Sequence, residues 1–138
     1  MPFVVDPSFA AGWFLPDEAN DVASAAARGL AIEPALAPGL FRYELRNLLF
    51  VAHLRQRIDA ATLARQLELA GKFAIKFIGA DDASAIVALA LKHKLTSYDA
   101  TYLALALERR LDLATNDKDP LAAARREGVK VITSLAQA

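Results

Sequence analysis

Short apolar runs alternate along the chain with longer segments in which apolar residues recur every three or four positions. Runs such as FVVD (3–6) and FAIKFI (73–78) are typical of buried or half-buried β-strands. The segment 39–55 has the periodicity of an amphipathic helix. This alternation predicts right-handed crossovers and a mostly parallel central sheet flanked by helices, which is an α/β fold.

Prolines and apolar periodicity place the remaining elements. Pro7 opens a short helix that runs to Phe14, Pro16 interrupts the chain, and an alanine-rich helix is predicted over 17–30. We find no linker, convincing repeat or low-complexity segment, so the 138 residues are predicted to form a single domain. The other predicted helices are 59–71, 81–94, 98–110 and 119–127, and the other predicted strands are 32–38, 111–115 and 129–132.

Composition excludes several classes of function. The 16 basic residues balance the 16 acidic ones, so no global basic field attracts nucleic acid, although a local site is still allowed. The absence of cysteine excludes disulfides and thiolate metal sites. The N-terminus lacks the basic region of a signal peptide, and the uncharged runs are shorter than the roughly 18 residues of a spanning helix. We therefore expect a cytoplasmic protein with no membrane span.

A hydrophobic content of 55% is high for a monomer that is surrounded by water. Because large exposed apolar patches are unfavourable in water, part of the surface is expected to be covered by a partner or a second copy.

Three carboxylates occupy positions that a parallel sheet brings to one edge. Asp6 ends the first predicted strand, and Asp117 follows the predicted strand 111–115 by two residues. Asp99 opens a helix whose N-terminus should face the same edge. Ligands of open parallel sheets bind at the carboxyl ends of the strands, so this edge is the candidate site.

A fourth carboxylate, Glu44, lies within an apolar stripe. On a helical wheel Leu48 and Val51 fall within about 60° of Glu44. Arg42 and Arg46 lie on the opposite face. A buried lone carboxylate requires a cation, hydrogen-bond donors or a cavity. The alternative is a glutamate at the edge of the stripe that reaches solvent or pairs with a basic side chain.

Each of the other acids also has a structural explanation. Asp6 could cap the helix that follows it, and Asp99 completes an S/T-x-x-D/E capping box with Thr96. Asp117 or Asp119 could cap the next helix, and Asp119, followed by proline, is the better candidate. A cap contributes about 1 kcal/mol. Two bare charges about 4 Å apart repel by roughly 4 kcal/mol at an effective dielectric of 20, so a converging cluster favours a bound Mg²⁺ or Mn²⁺.

Four segments together match a known family. VVDPSFAAGWFLPDE, PGLFRYELRNLL, LTSYDATYLALALERRLDLATND and AAARREGVKVI occur in the order and at the spacings of the PIN-domain ribonucleases. The chain resembles most closely the small bacterial toxins called VapC, and the resemblance covers nearly its whole length. It implies a PIN-like domain whose catalytic and metal-binding acids are Asp6, Glu44, Asp99 and Asp117, with Ser8, Asn47 and Thr115 as supporting polar residues.

The resemblance also implies a function. The protein is expected to be a Mg²⁺-dependent (or Mn²⁺-dependent) endoribonuclease, the toxin of a type II toxin–antitoxin pair, in which the metal activates a water for in-line attack on an RNA phosphodiester. Expected partners are an RNA substrate, with tRNA favoured, a cognate antitoxin, and a second copy that forms a homodimer partly through 39–71. Asp119 is kept as a second candidate for the fourth acid.

Two other functions remain as alternatives. One is a catalytically inactive PIN-fold module that binds RNA or protein, which the loss of an acid would favour. The other is a receiver-like Mg²⁺-binding domain, which fits poorly because no acidic doublet follows the first strand. His53 and His93 are interpreted as surface residues, and Trp13 and Phe14 as part of the core or of a dimer surface.

Overall fold

The computed structural model describes residues 1–136 and contains a five-stranded sheet in which all neighbouring strands are parallel. The predicted α/β class with a parallel central sheet is therefore confirmed. The strand order is β3-β2-β1-β4-β5. The strands are β1 (Phe3–Val5), β2 (Ala35–Pro38), β3 (Ile75–Ile78), β4 (Asp112–Ala114) and β5 (Val131–Ile132).

Helices connect the strands, as the periodicity predicts. The expected helix over 17–30 begins later, because Pro16–Glu18 form a single 3-10 turn. The side chain of Asn20 accepts a hydrogen bond from the backbone N–H of Ala23 and thereby starts the helix at Asp21. The helices are α1 (Pro7–Phe14), α2 (Asp21–Gly29), α3 (Leu40–Leu54), α4 (Ala60–Lys72), α5 (Ala83–His93), α6 (Ser97–Arg109) and α7 (Lys118–Arg126).

The central strand β1 determines where a ligand can bind. It pairs with β2 on one side and with β4 on the other, with Val4 opposite both Leu36 and Leu113. The chain first winds outward through β2 and β3, and then returns to the other side of β1 as β4 and β5. The crevice at the carboxyl ends of β1 and β4 is therefore the topological switch point, where open α/β sheets bind ligands.

The core lies on both sides of these central strands. Helix α6 packs on β1, β2 and β4, and α5 and α7 pack against α6. Helix α1 packs against α2 and α3. Phe14 is buried, and the indole N–H of Trp13 donates to the carbonyl of Ala23 at 2.7 Å, so these two residues belong to the core. Aromatic rings of Phe3, Phe9, Trp13, Phe14 and Phe73 pack edge-on or tilted against one another.

The prediction that His93 is a surface residue is wrong. Its side chain is only 3% exposed, and its Nε2 lies 2.6 Å from a carboxylate oxygen of Glu127. The sequence near His93 does not reveal this burial, because Glu127 is 34 residues away and reaches the end of α5 only in the folded chain.

Within residues 1–136, no helix is both long enough and apolar enough to cross a membrane.

Candidate active site

Asp6 lies at the carboxyl end of β1 and is only 5% exposed. Its Oδ1 accepts hydrogen bonds from the Ser8 hydroxyl at 2.6 Å and from the backbone N–H of Phe9 at 3.1 Å. Its Oδ2 accepts one from the Thr115 hydroxyl at 2.5 Å. Asp6 therefore caps α1, with Pro7 at the first helical position, as the structural explanation of this residue expects. One acceptor position on Oδ2 is left for a ligand.

The hydroxyls of Ser8 and Thr115 also fasten the loop that follows β4. The Ser8 hydroxyl accepts from the backbone N–H of Asn116 at 2.8 Å, and the Thr115 hydroxyl accepts from the backbone N–H of Asp117 at 3.1 Å. Each hydroxyl thus donates to Asp6 and accepts from the loop. The two supporting residues predicted here bind Asp6 directly and position the backbone of Asp117.

Glu44 projects from α3 and is partly buried. The hydroxyl of Tyr102, on α6, donates to Glu44 Oε1 at 2.5 Å. Burial and the negative charge of Glu44 raise the pKa of Tyr102, so the phenol remains a neutral donor. Within residues 1–136, Glu44 forms no ion pair with a basic side chain, which leaves its Oε2 open.

Asp99 lies in the first turn of α6, where its backbone N–H donates to the Thr96 hydroxyl at 3.0 Å. The threonine half of the predicted capping box is therefore present. The pKa of Asp99 is raised to about 6. Burial is the largest cause, and the charges of Asp117, Glu44 and Asp119 contribute the rest of the increase. These charges act on Asp99 because the folded chain brings the four acids near one another.

The charge of a neighbouring acid also affects the pKa of Asp6. Burial raises its pKa to about 6, against the lowering effect of its hydrogen bonds from Ser8, Thr115 and Phe9, and the charge of Asp117 adds to the increase. The predicted acids of β1, α3, α6 and the β4–α7 loop are thus assembled into one negatively charged cluster at the switch point.

The expected cap at Asp119 is wrong. Helix α7 begins at Lys118, so Asp117 is its N-cap and Asp119 lies in its first turn. The Asp117 side chain makes no capping hydrogen bond, and both acids are exposed. Asn47 is exposed one turn after Glu44, and its side chain makes no hydrogen bond within residues 1–136, so its supporting role stays a prediction.

Comparison with known proteins agrees with the fold. The PIN domain family matches residues 3–127, which is most of the chain. The chain belongs to the PIN-domain family. PIN domains are generally nucleases and typically use divalent metals. The fold is similar to that of PAE2754 from Pyrobaculum aerophilum, whose crystal structure matches with a TM-score of 0.72 and 25% identity, over 96% of this chain and 91% of that one. No curated protein sequence matches the chain.

The donors of this PIN domain suit a hard divalent cation. All of them are carboxylate oxygens, their mutual repulsion favours a positive charge, and Asp6 and Glu44 each keep an open acceptor position. Within residues 1–136, no three histidine, cysteine or acidic side chains are already arranged around a single metal position. Part of the coordination would therefore pass through water, which Mg²⁺ commonly retains.

Two residues of this site were missed from the sequence. Tyr102 follows Asp99 by three residues and so lies on the same side of α6, a spacing that could have suggested its contact with Glu44. Asn116 could not have been recognised, because its Oδ1 accepts from the Thr133 hydroxyl and the backbone N–H of Ser134, each at 2.9 Å, beyond β5.

Proposed function

We propose that this PIN domain is a Mg²⁺- or Mn²⁺-dependent endoribonuclease and the toxin of a type II toxin–antitoxin pair of the VapC kind. The observation that carries the proposal is the cluster of Asp6, Glu44, Asp99 and Asp117 at the switch point of a PIN fold. Acids that repel one another are maintained at a cost to stability, and such sites are commonly functional.

Asp6, Glu44 and Asp99 would hold the cation directly or through water, and Asp117 would complete the site. When bound, the cation supplies activation of water and stabilisation of the negative charge on the leaving oxygen. The polar side chains around the acids orient the carboxylates toward the cation. Ser8 and Thr115 orient Asp6 through hydrogen bonds, and the phenol of Tyr102 orients Glu44 in the same way. The resemblance described from the sequence assigns the metal to these acids as well.

The substrate proposed is RNA, with tRNA as the favoured class, cleaved to a 5′-phosphate and a 3′-hydroxyl. An inactive RNA- or protein-binding module remains the alternative. Loss of an acid would favour this alternative, whereas the sequence retains Asp6, Glu44, Asp99 and Asp117.

The proposed partners are a second copy of the chain and a small antitoxin. Apolar side chains exposed on α3, α4 and α5 support this part of the proposal, because such surface is unfavourable in water. These side chains are Phe50, Leu54, Leu67, Leu69, Val87 and Leu91.

The ribonuclease is tested with purified protein and total RNA or tRNA, in Mg²⁺, in Mn²⁺ and in EDTA. We expect discrete fragments with either metal and none with EDTA. The Asp99→Asn variant should lose at least 100-fold of the cleavage rate, about 3 kcal/mol of transition-state stabilisation. The matched control is Asp59→Asn, because Asp59 caps α4 on the surface and asparagine caps as well.

Cleavage that survives both EDTA and Asp99→Asn would point to a contaminating nuclease and defeat the proposed mechanism. Absence of cleavage with either metal, after denaturation and refolding to remove any bound inhibitor, would favour the binding module.

The toxin role has its own test. Induced expression in a bacterial host should arrest growth for the wild type and for Asp59→Asn, but not for Asp99→Asn at equal protein level. Growth arrest by all three proteins would separate toxicity from the acids and contradict the proposal.

A further inference from the structure

An exposed aromatic residue immediately precedes one of the acids in the chain. Tyr98 precedes Asp99 in the first turn of α6 and is 59% exposed. Within residues 1–136, Tyr98 makes no hydrogen bond through its hydroxyl and no contact with another aromatic ring. The flat apolar face of Tyr98 is therefore open to a ligand, in the same helical turn as Asp99.

The helix geometry places this ring at the mouth of the site. Tyr98 lies four residues before Tyr102, so the two side chains share one side of α6 about one turn apart. The Tyr102 phenol reaches Glu44 inside the site. Helical side chains lean toward the N-terminus, so the Tyr98 ring lies farther out, beyond the contact between Tyr102 and Glu44.

The first turn that carries Tyr98 is fixed at both ends. The Thr96 hydroxyl accepts from the backbone N–H of Asp99, and the Thr101 hydroxyl donates to the carbonyl of Ser97 at 2.7 Å. The position of the Tyr98 backbone relative to Asp99 is thus set before a ligand arrives, which lowers the entropy lost on binding.

The charge around the mouth selects what can lie on the ring. The charges of Glu44, Asp117 and Asp119 reach Asp99 there, so an additional phosphate in contact with the ring is repelled. A nucleobase is neutral at pH 7 and presents a flat face, and stacking of bases on aromatic side chains is favourable for every base. An RNA strand whose phosphate lies at the acids carries such a base close by.

We propose that Tyr98 is a substrate-binding residue whose ring stacks on the nucleobase adjoining the phosphodiester presented to the acids. The inference rests on the proposed ribonuclease function. Stacking tolerates all four bases, so Tyr98 supplies affinity and orientation, and sequence preference must come from other contacts.

The test compares Tyr98→Ala and Tyr98→Phe in steady-state cleavage of a single-stranded RNA oligonucleotide with Mg²⁺. Loss of one stacking partner should raise KM about 5- to 100-fold with kcat changed less than about threefold, whereas Tyr98→Phe should behave as the wild type. The matched control is Tyr43→Ala, because Tyr43 is 61% exposed and also precedes an acid, Glu44, but the Arg46 guanidinium lies over its ring.

A second readout does not depend on cleavage. On rapid mixing in Mg²⁺, before cleavage occurs, an oligonucleotide that contains 2-aminopurine should lose fluorescence on binding to the wild type, to Tyr98→Phe and to Tyr43→Ala, but not to Tyr98→Ala. Unchanged KM and unchanged quenching in Tyr98→Ala would overturn the inference. If Asp99→Asn is inactive in the same experiment, the ribonuclease proposal survives that result.

Other outcomes are equally decisive. If the wild type cleaves no RNA, the ribonuclease proposal fails, and the quenching experiment alone decides whether Tyr98 stacks on a base. If light scattering shows that Tyr98→Ala converts a dimer into a monomer while RNA binding is unaffected, a second copy covers the ring and the inference is wrong.

Discussion

Asp6 shows at the level of one residue how stability and chemistry oppose each other. Burial raises its pKa to about 6, although three donors, the Ser8 and Thr115 hydroxyls and the Phe9 N–H, partly compensate. At neutral pH the folded protein thus holds a charge that would be better solvated in the unfolded chain. Charge removal at such positions commonly increases stability and decreases activity.

This conflict makes stability depend on pH. In EDTA, the pKa of Asp99 is raised from the ordinary 3.8 to about 6 in the folded state. The folded state then binds more protons than the unfolded state between these values, so the Asp99 contribution to the free energy of unfolding falls as the pH rises from about 4 to 6. We expect Asp99→Asn to be more stable than the wild type by about 1 kcal/mol at pH 7.5, after allowance for partial exposure, and by much less at pH 4.

Urea unfolding of the two proteins at a series of pH values measures this difference. Asp59→Asn is the control, because hydrogen bonds from Thr62 lower the pKa of Asp59 and the shift there has the opposite sign. A stability gain of Asp99→Asn that is equal at pH 4 and pH 7.5 would contradict the raised pKa.

Thr115 allows a second prediction at the residue scale. Thr115→Val keeps the shape of the side chain but removes the donor to Asp6 Oδ2 and the acceptor for the Asp117 N–H. The free energy of unfolding should fall by about 1–3 kcal/mol at pH 7.5, because buried polar groups lose their partners, and by less at pH 4, where Asp6 is protonated. Urea unfolding measures both values. Thr62→Val on the surface helix α4 is the control, and an equal loss in both variants would refute the role of Thr115.

Helix α6 shows how one element serves both the core and the site. Its inner face, which includes Leu103 and Ala106, is buried against the sheet, while its first turn carries Asp99 and Tyr98 to the carboxyl edge. The Thr96 cap determines where this turn begins. The position of Asp99 along the carboxyl edge of the sheet therefore depends on where α6 begins.

Two caps separate the effect on stability from the effect on the site. Thr96→Ala removes the cap of α6, and Asp82→Ala removes that of α5, where Asp82 accepts from the Ala85 N–H at 3.2 Å. Each should decrease the free energy of unfolding by about 1 kcal/mol. Only Thr96→Ala should also decrease kcat, by roughly tenfold, because its first turn holds Asp99. Chemical denaturation and cleavage kinetics measure the two effects. Equal kcat losses would assign both to reduced stability.

The whole molecule brings together acids that are far apart in the chain. The strand order brings the end of β1 beside that of β4, and α3 and α6 add Glu44 and Asp99. The complete cluster exists only in the folded state. A cation that binds it stabilises the fold by mass action.

Mg²⁺ or Mn²⁺ should therefore raise the melting temperature. At a concentration 100 times the Kd, the gain is about 2.7 kcal/mol, which corresponds to several degrees for a domain of this size. Thermal unfolding in the presence of increasing metal concentrations measures it. Asp59→Asn should show the full increase and Asp99→Asn little or none. An increase that is identical in both variants would place the metal outside the acid cluster.

Much of the fold follows from local patterns. The strand FVVD and the helices after Pro7 and over 39–55 were predicted correctly because apolar periodicity and capping residues act over a few positions. The start of α2 was misplaced, since alanine-rich sequence does not show that Pro16–Glu18 form a separate turn before the Asn20 cap. The parallel arrangement was also predictable, because strands that alternate with helices must connect by crossovers.

The partners of each side chain depend on the fold. The sequence places Asp6, Glu44 and Asp99 on suitable elements and accounts for Asp6 as a cap. The Tyr102 contact with Glu44 and the burial of His93 against Glu127 each join residues more than 30 positions apart. Local sequence patterns do not show contacts between residues so far apart in the chain. The raised pKa values of the acids in the site arise from burial and from the summed charge of neighbouring acids. These are properties of a three-dimensional arrangement, so only tertiary packing creates them.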